Sequence, residues 1–435
     1  GNDGPWSTFD IRVGTPEQYI RVLVSTASPQ TMVALDSDGC SEAVFGTMPP
    51  DCAVSRGGLF NINESSSWTD VGLHGINGNG VGLEANLGYV QRAQFGLETL
   101  GLGLYGPSFE NQTVAGIATP SPFYLGILGL NGQPVNFTTL GNYSSPSLLT
   151  TLKEQNKIPS LSWSYTAGAG YRLKQVYGQL IFSGYDTSRF TPNSASFSMA
   201  GDVTRDLVVV LQSISYSGSS STDQLLGSPI DIYIDSTDPH IWLPQTACEA
   251  FEAAFGLTLD GESGLYLVND SHHETLLDEN AQVTFRISDV KGGGEGVAIR
   301  LPYAAFDLVA ENPLVSGEGN ASARYFPLKR AANETQYTLG RTFLQEAYLS
   351  ADYERKVFNV SACTWQEGAE ENIVTIPSRE GNTGSSNDDG GSSSGSSSDS
   401  GLSTGQIAGI AVGSVLAGLL VIALVVFCVF RQRRK

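Results

Sequence analysis

The chain has 435 residues, 40 % of them hydrophobic, and 44 acidic against 24 basic residues leave a net charge of −20. Length alone allows one large domain or two to three ordinary ones, with ample apolar material for a core. Four of the basic residues fall in the last five positions, so the rest of the surface is acidic enough to repel nucleic acid and anionic lipid headgroups.

Fifty glycines and short apolar runs between turn signals favour strands. Trp6 to Val13 alternates like a half-buried strand, and Gly14-Thr15-Pro16 is a turn in which proline pre-sets φ. Tyr19 to Val24 reads as the next strand, delivering Ser25, Thr26 and Ala27. Cys40 and Cys52 enclose a short loop. With Cys248 and Cys363 they make four cysteines, an even number suited to disulfides outside the cell. Three pairings are possible; the short spacing favours Cys40–Cys52, and Cys248 and Cys363 remain for a second bridge.

Gly101-Leu-Gly103-Leu-Tyr-Gly106 matches a dinucleotide fingerprint in form only, because Pro107-Ser108 follows where a helix should begin. Lys291-Gly292-Gly293-Gly294 lacks the rest of a phosphate loop and reads as a hairpin tip. His272-His273 beside Glu274 has no metal-ligand spacing and reads as exposed loop. No cofactor or metal is expected. Ser147 to Gln155 and Gln245 to Phe255 read as helices.

Eight Asn-x-Ser/Thr sequons, at Asn63, Asn111, Asn136, Asn142, Asn269, Asn320, Asn333 and Asn359, point to a glycoprotein. Past Cys363 the composition turns to Ser, Gly and Asp, which cannot bury a core and reads as a flexible stalk over 366–406. Residues 407–430 are uncharged and apolar, long enough to cross a bilayer at about 1.5 Å per residue. The basic residues 431–435 then place the tail in the cytoplasm and residues 1–406 outside, a single-pass membrane protein at the cell surface. Cys428 lies within the span, a candidate for palmitoylation.

Two stretches carry a resemblance. Gly14-Thr15-Pro16-Glu17-Gln18, six residues, then Ser25-Thr26-Ala27-Ser28 resembles the first catalytic loop of the pepsin-like aspartic proteases, with serine at the aspartate position and alanine at the glycine position. Ile230 to Ile234, then Asp235-Ser236-Thr237-Asp238, resembles the second loop, with Asp235 at the catalytic position and Thr237 at the glycine position. Gly126-Ile127-Leu128-Gly129-Leu130 and Leu339-Gly340 resemble the family's threading elements. They stand 104 residues beyond Ser25 and 105 beyond Asp235, an internal repeat that implies two similar lobes. The resemblance covers residues 6–363 and looks like the membrane-anchored fungal members. It implies an all-β, bilobed fold, with an N-terminal lobe over 1–191 and a C-terminal lobe over 192–365. Gly88-Tyr89 to Leu104 falls where the family's flap hairpin is expected; Tyr89 is either the flap tyrosine or an ordinary strand residue.

An aspartic protease needs two carboxyls that share one proton, one drawing a proton from water and the other bonding the scissile carbonyl. Ser25 can do neither. Thr237 and Ala27 should crowd the cleft floor, while Thr26 and Ser236 keep hydroxyls that in the family bond across to the opposite loop. A serine-nucleophile reading lacks a local elbow motif and has four histidines to draw on. Asp36, Asp38 and Asp238 are the acids placed to replace the lost one. The leading expectation is a non-catalytic surface protein, a monomer, that binds an extended peptide or cell-wall glycan in the interlobe cleft. The alternatives are an active surface endopeptidase with an atypical Ser25/Asp235 site, and a structural surface glycoprotein.

Overall fold

A computed structural model describes residues 1–49, 51–77, 87–137, 143–218, 222–315 and 321–379. Residues 1–383 form one compact unit. The second unit, Gly384–Lys435, lies outside the described residues, as do the remainder of the stalk, the apolar run 407–430, the basic tail, Cys428, Asn142 and Asn320. Among the described residues no helix is long and apolar enough to cross a membrane.

The body is mostly β. In the first half, among the described residues, seven strands form one sheet in the order Phe9–Val13, Gln18–Ser25, Gly126–Gly129, Thr31–Ala34, Ser108–Ile117, Arg92–Leu102 and Thr69–Gly75. Phe9–Val13 also pairs with Arg92–Leu102, so the sheet curls back on itself. The second half repeats the plan around Val208–Ser217, Ile230–Ile234 and Ile241–Leu243. A third sheet joins the halves: Ser162–Ala169 and Val176–Phe182 pair in line with Ala347–Asp352, Val357–Ala362 and Phe197–Ser198.

The repeat is physical. Gln18–Ser25 runs parallel to Gly126–Gly129, with Ser25 opposite Gly129. Ile230–Ile234 runs parallel to Thr338–Leu339, with Ile234 opposite Leu339. A Cβ on Gly129 would collide with the carbonyls of Ser28 and Gln30, and one on Gly340 with those of Asp238 and His240. Those carbonyls lie three and five residues past Ser25 and Asp235 respectively. Each threading glycine is therefore required by the same close backbone approach under its loop.

Helices are short supports. Ser147 caps Leu148–Glu154 by accepting from the Thr150 amide at 3.2 Å. Gln245–Phe255 buries Ala247, Cys248, Phe251 and Phe255 and ends at left-handed Gly256.

Four expectations are corrected. The hairpin expected over 88–104 falls earlier: its arms are Thr69–Gly75 and Arg92–Leu102, and Tyr89 precedes the second arm. His272 and His273 lie on a helix, Asp270–Glu279, not in a loop, and His273 is buried against Tyr303. The second disulfide does not form. Cys40 and Cys52 are bridged, but Cys248 and Cys363 carry free thiols. Cys248 packs inside the C-terminal half against the carbonyls of Leu243 and Lys329; Cys363 ends a strand of the joining sheet beside Thr166. Burial raises the Cys248 thiol to about 12 and raises Cys363 as well, so both stay protonated and inert. The stalk also starts later than residue 366. Ile373–Thr375 pairs with Gly184–Asp186, and the Arg379 amide donates to Glu354 at 2.6 Å.

Candidate active site

Two strand ends bring the loops together. The Thr26 amide donates to Ser236 Oγ at 3.0 Å, and the Ser236 amide donates to Thr26 Oγ1 at 3.0 Å. Ser236 Oγ also donates to the Val24 carbonyl at 2.7 Å. These bonds are reciprocal across the two halves, as expected of loops related by an approximate two-fold. Ser236→Ala is expected to lower unfolding stability by about 2–3 kcal/mol, because it strands a buried amide and a buried carbonyl. Chemical denaturation of the two proteins measures it, and a loss within ~0.5 kcal/mol contradicts it.

Above this clasp lie Ser25, Asp235 and Thr237. Ser25 Oγ lies 2.6 Å from Thr237 Oγ1 and accepts from the Ser28 amide at 2.9 Å. The Thr237 amide in turn donates to Asp235 Oδ1 at 2.8 Å. Thr237 thus links Ser25 and Asp235 through its side chain on one side and its backbone on the other. Ser25, Thr26, Ala27, Asp235 and Ser236 have no solvent exposure, and Thr237 has 5 %. The β-branched side chain does not merely crowd the floor. It supplies a hydroxyl that occupies Ser25.

Of the substitute acids, Asp36 and Asp38 are exposed and bond locally to Asn61 and Ser37. Asp238 is buried, but its carboxylate is already engaged. Oδ1 accepts from the His240 amide at 2.6 Å and faces His240 Nδ1 at 2.8 Å; Oδ2 accepts from Trp242 Nε1 at 2.9 Å. Burial pulls its pKa upward, yet His240 and Trp242 outweigh that and hold it below the ordinary carboxylate range. A carboxylate bonded on both oxygens is a brace for its loop. Asp238 and His240 lie in the turn before the strand Ile241–Leu243, and the turn, not a strand pattern, brings the His240 and Trp242 side chains onto the carboxylate.

Tyr89 is 6 % exposed and stacks on Phe123 with ring centroids 5.2 Å apart. It belongs to an apolar cluster with Leu23, Met32, Ile127 and Leu87. Burial, then the Asp238 and Asp235 carboxylates, push its phenol well above the usual range, so it remains neutral. It is a packed wall residue beside the second loop.

Beneath the second loop lies a residue that sequence reasoning passed over. Arg341, 2 % exposed, donates Nη1 to the carbonyls of Ser236 at 3.3 Å and Thr237 at 3.0 Å. Its Nη2 reaches Asp3 Oδ2 at 2.6 Å, and its guanidinium sits 5.0 Å from the Trp6 ring. The N-terminal segment is thereby tied to the second loop. Among the described residues no group of His, Cys, Asp and Glu could hold a metal ion.

A mostly-β body of two repeated halves, with two loops clasped at the repeat axis and threaded by glycine elements, defines an aspartic-protease scaffold. A model of the eukaryotic aspartyl protease family matches residues 8–363, and the chain belongs to that family. It is 26 % identical over 366 residues to secreted aspartic protease 8 of Candida albicans, covering 83 % of this chain and 76 % of that protein. It is 22 % identical over 441 residues to aspartic proteinase 3 of Saccharomyces cerevisiae, covering 87 % and 73 %. The crystal structure of aspartic proteinase from Irpex lacteus superposes with a TM-score of 0.54 at 16 % identity, covering 84 % of this chain and 98 % of that one.

Proposed function

We propose that the chain is a catalytically silent, extracellular member of the aspartyl protease family, held at the cell surface by residues 407–430. The observation that carries this reading is the 2.6 Å bond between Ser25 and Thr237. Protease chemistry of this family needs a second carboxyl and an activated water between the loops. Here one position is a hydroxyl, and that hydroxyl is already bonded to a side chain from the opposite loop. Among the described residues its partners are Thr237 and Ser28, neither of them an imidazole that could make it a nucleophile.

The extracellular placement draws on three observations: the Cys40–Cys52 disulfide, the exposure of all six described sequon asparagines, and a relative whose name says it is secreted. The anchor rests on the length and basic end of the apolar run. Ser25 and Asp235 have no solvent exposure and Thr237 has little, so a peptide or glycan lying across the floor would meet almost none of their polar surface. The buried loops therefore favour a structural surface glycoprotein over a cleft binder.

The test is restoration. Ser25→Asp returns the carboxyl, and Thr237→Gly clears its place. The double variant is expected to cleave peptides at least about 10²-fold faster than wild type, in line with regained acid–base catalysis, while each single variant stays near background. Product analysis by mass spectrometry reads the result. A wild type as active as the double variant would sink the silent reading.

A further inference from the structure

A groove of ≈ 580 Å³ opens on the C-terminal half, and neither Ser25 nor Asp235 contributes to it. We propose that it seats an N-linked glycan carried by Asn333, an inference that rests on the extracellular placement above. Asn333 is exposed, and the next two residues of its own sequon, Glu334 and Thr335, form part of the groove wall. A sugar attached to Asn333 therefore begins at the groove's mouth. The sequon is already folded into a tight local turn, with the Thr335 amide and hydroxyl donating to Asn333 Oδ1 at 3.0 Å and 2.6 Å.

The wall suits a neutral polyol. Tyr337 contributes a half-buried ring, and Leu226 and Pro229 contribute apolar surface. Asp202, Arg205 and the Asp231–Lys291 pair contribute acceptors and donors of both signs. Lys291 pairs with Asp231 at 2.7 Å, and with Arg205 beside Asp202 and Glu334 the two cations and three carboxylates of the wall nearly balance, so the groove presents no strong field of one sign. Its size lies within the roughly 300–1,000 Å³ span of small-ligand sites. Among the described sequons, Asn63, Asn111, Asn136, Asn269 and Asn359 contribute nothing to this wall.

The test uses the full chain made in yeast, purified natively and treated with endoglycosidase H, with each site followed by glycopeptide mass spectrometry. The Asn333 glycan is expected to be trimmed at least ten-fold more slowly than those at Asn63 and Asn111. Denaturing the protein, or Tyr337→Ala, should bring the three rates together; Tyr337→Leu serves if alanine prevents folding. Equal rates in the native wild type, or slow trimming that neither Tyr337 variant relieves, overturn the inference. An unmodified Asn333 beside occupied Asn63 and Asn111 overturns it alone. If no site is occupied, the extracellular placement fails with it.

Discussion

Arg341→Met is expected to be among the most damaging single substitutions in the chain. The guanidinium is buried and holds three partners at once: the carbonyls of Ser236 and Thr237, and the Asp3 carboxylate. Methionine fills much of the volume but satisfies none of them. Removing one member of a buried ion pair commonly costs about 3–5 kcal/mol, because the other charge is left unpaired. Asp3 is 17 % exposed and regains some water, which places the expectation near the lower end, about 3 kcal/mol. Asp3→Asn with Arg341→Met should recover part of that loss, since the stranded charge is then gone. Denaturant unfolding of the two variants reads both numbers. A loss under about 1 kcal/mol for Arg341→Met would show that the second loop does not depend on this residue.

The second large effect is a gain. Asp206 is 4 % exposed, and among the described residues its Oδ1 is buried without a hydrogen-bond partner. Burial raises its carboxyl to about 7; its own and the Leu207 amide and the facing Tyr353 hydroxyl pull the other way, and Asp202 adds to the rise. The folded pKa is above the unfolded one, so the folded chain holds a proton that the unfolded chain has lost. Stability from this group is intact below about pH 4 and declines as pH rises to about 7. Above that the cost is constant. Raising the carboxyl from its ordinary value to about 7 corresponds to about 4 kcal/mol, an upper figure. Asp206→Asn removes the titration. The variant is expected to match wild type near pH 4 and to exceed it by up to about 4 kcal/mol at pH 8. Parallel stability curves in pH would contradict this.

How much of this was legible follows from how local each feature is. The two loops and the threading glycines are short runs set by backbone geometry and stand at nearly the same interval, so sequence carried them. The Cys40–Cys52 bridge followed from a short separation. The even cysteine count misled for the other two, because Cys248, buried, and Cys363, half-buried, are packed as free thiols in different parts of the body. The flap arm Thr69–Gly75 was missed because two glycines and a mix of four exposed and three half-buried positions blur its alternation. The strand Ile373–Thr375 was hidden inside a polar tail, although three β-branched residues in a row were a usable signal. Arg341, Asp3 and Asp206 were beyond reach for a different reason. Their roles are made by contacts between residues far apart in the chain, and nothing in the local pattern marks them. The same holds for the Ser25–Thr237 bond, which spans the two halves; the sequence indicated crowding there but not a bond.

The most direct measurement is peptide turnover by the wild-type protein between about pH 3 and 7, where carboxylates and histidine titrate, run beside Asp235→Asn and read by mass spectrometry. The Ser25–Thr237 arrangement predicts no cleavage above background in either protein at any pH. Cleavage by wild type that vanishes in Asp235→Asn would contradict it, and would mean that Asp235 works with a single carboxyl.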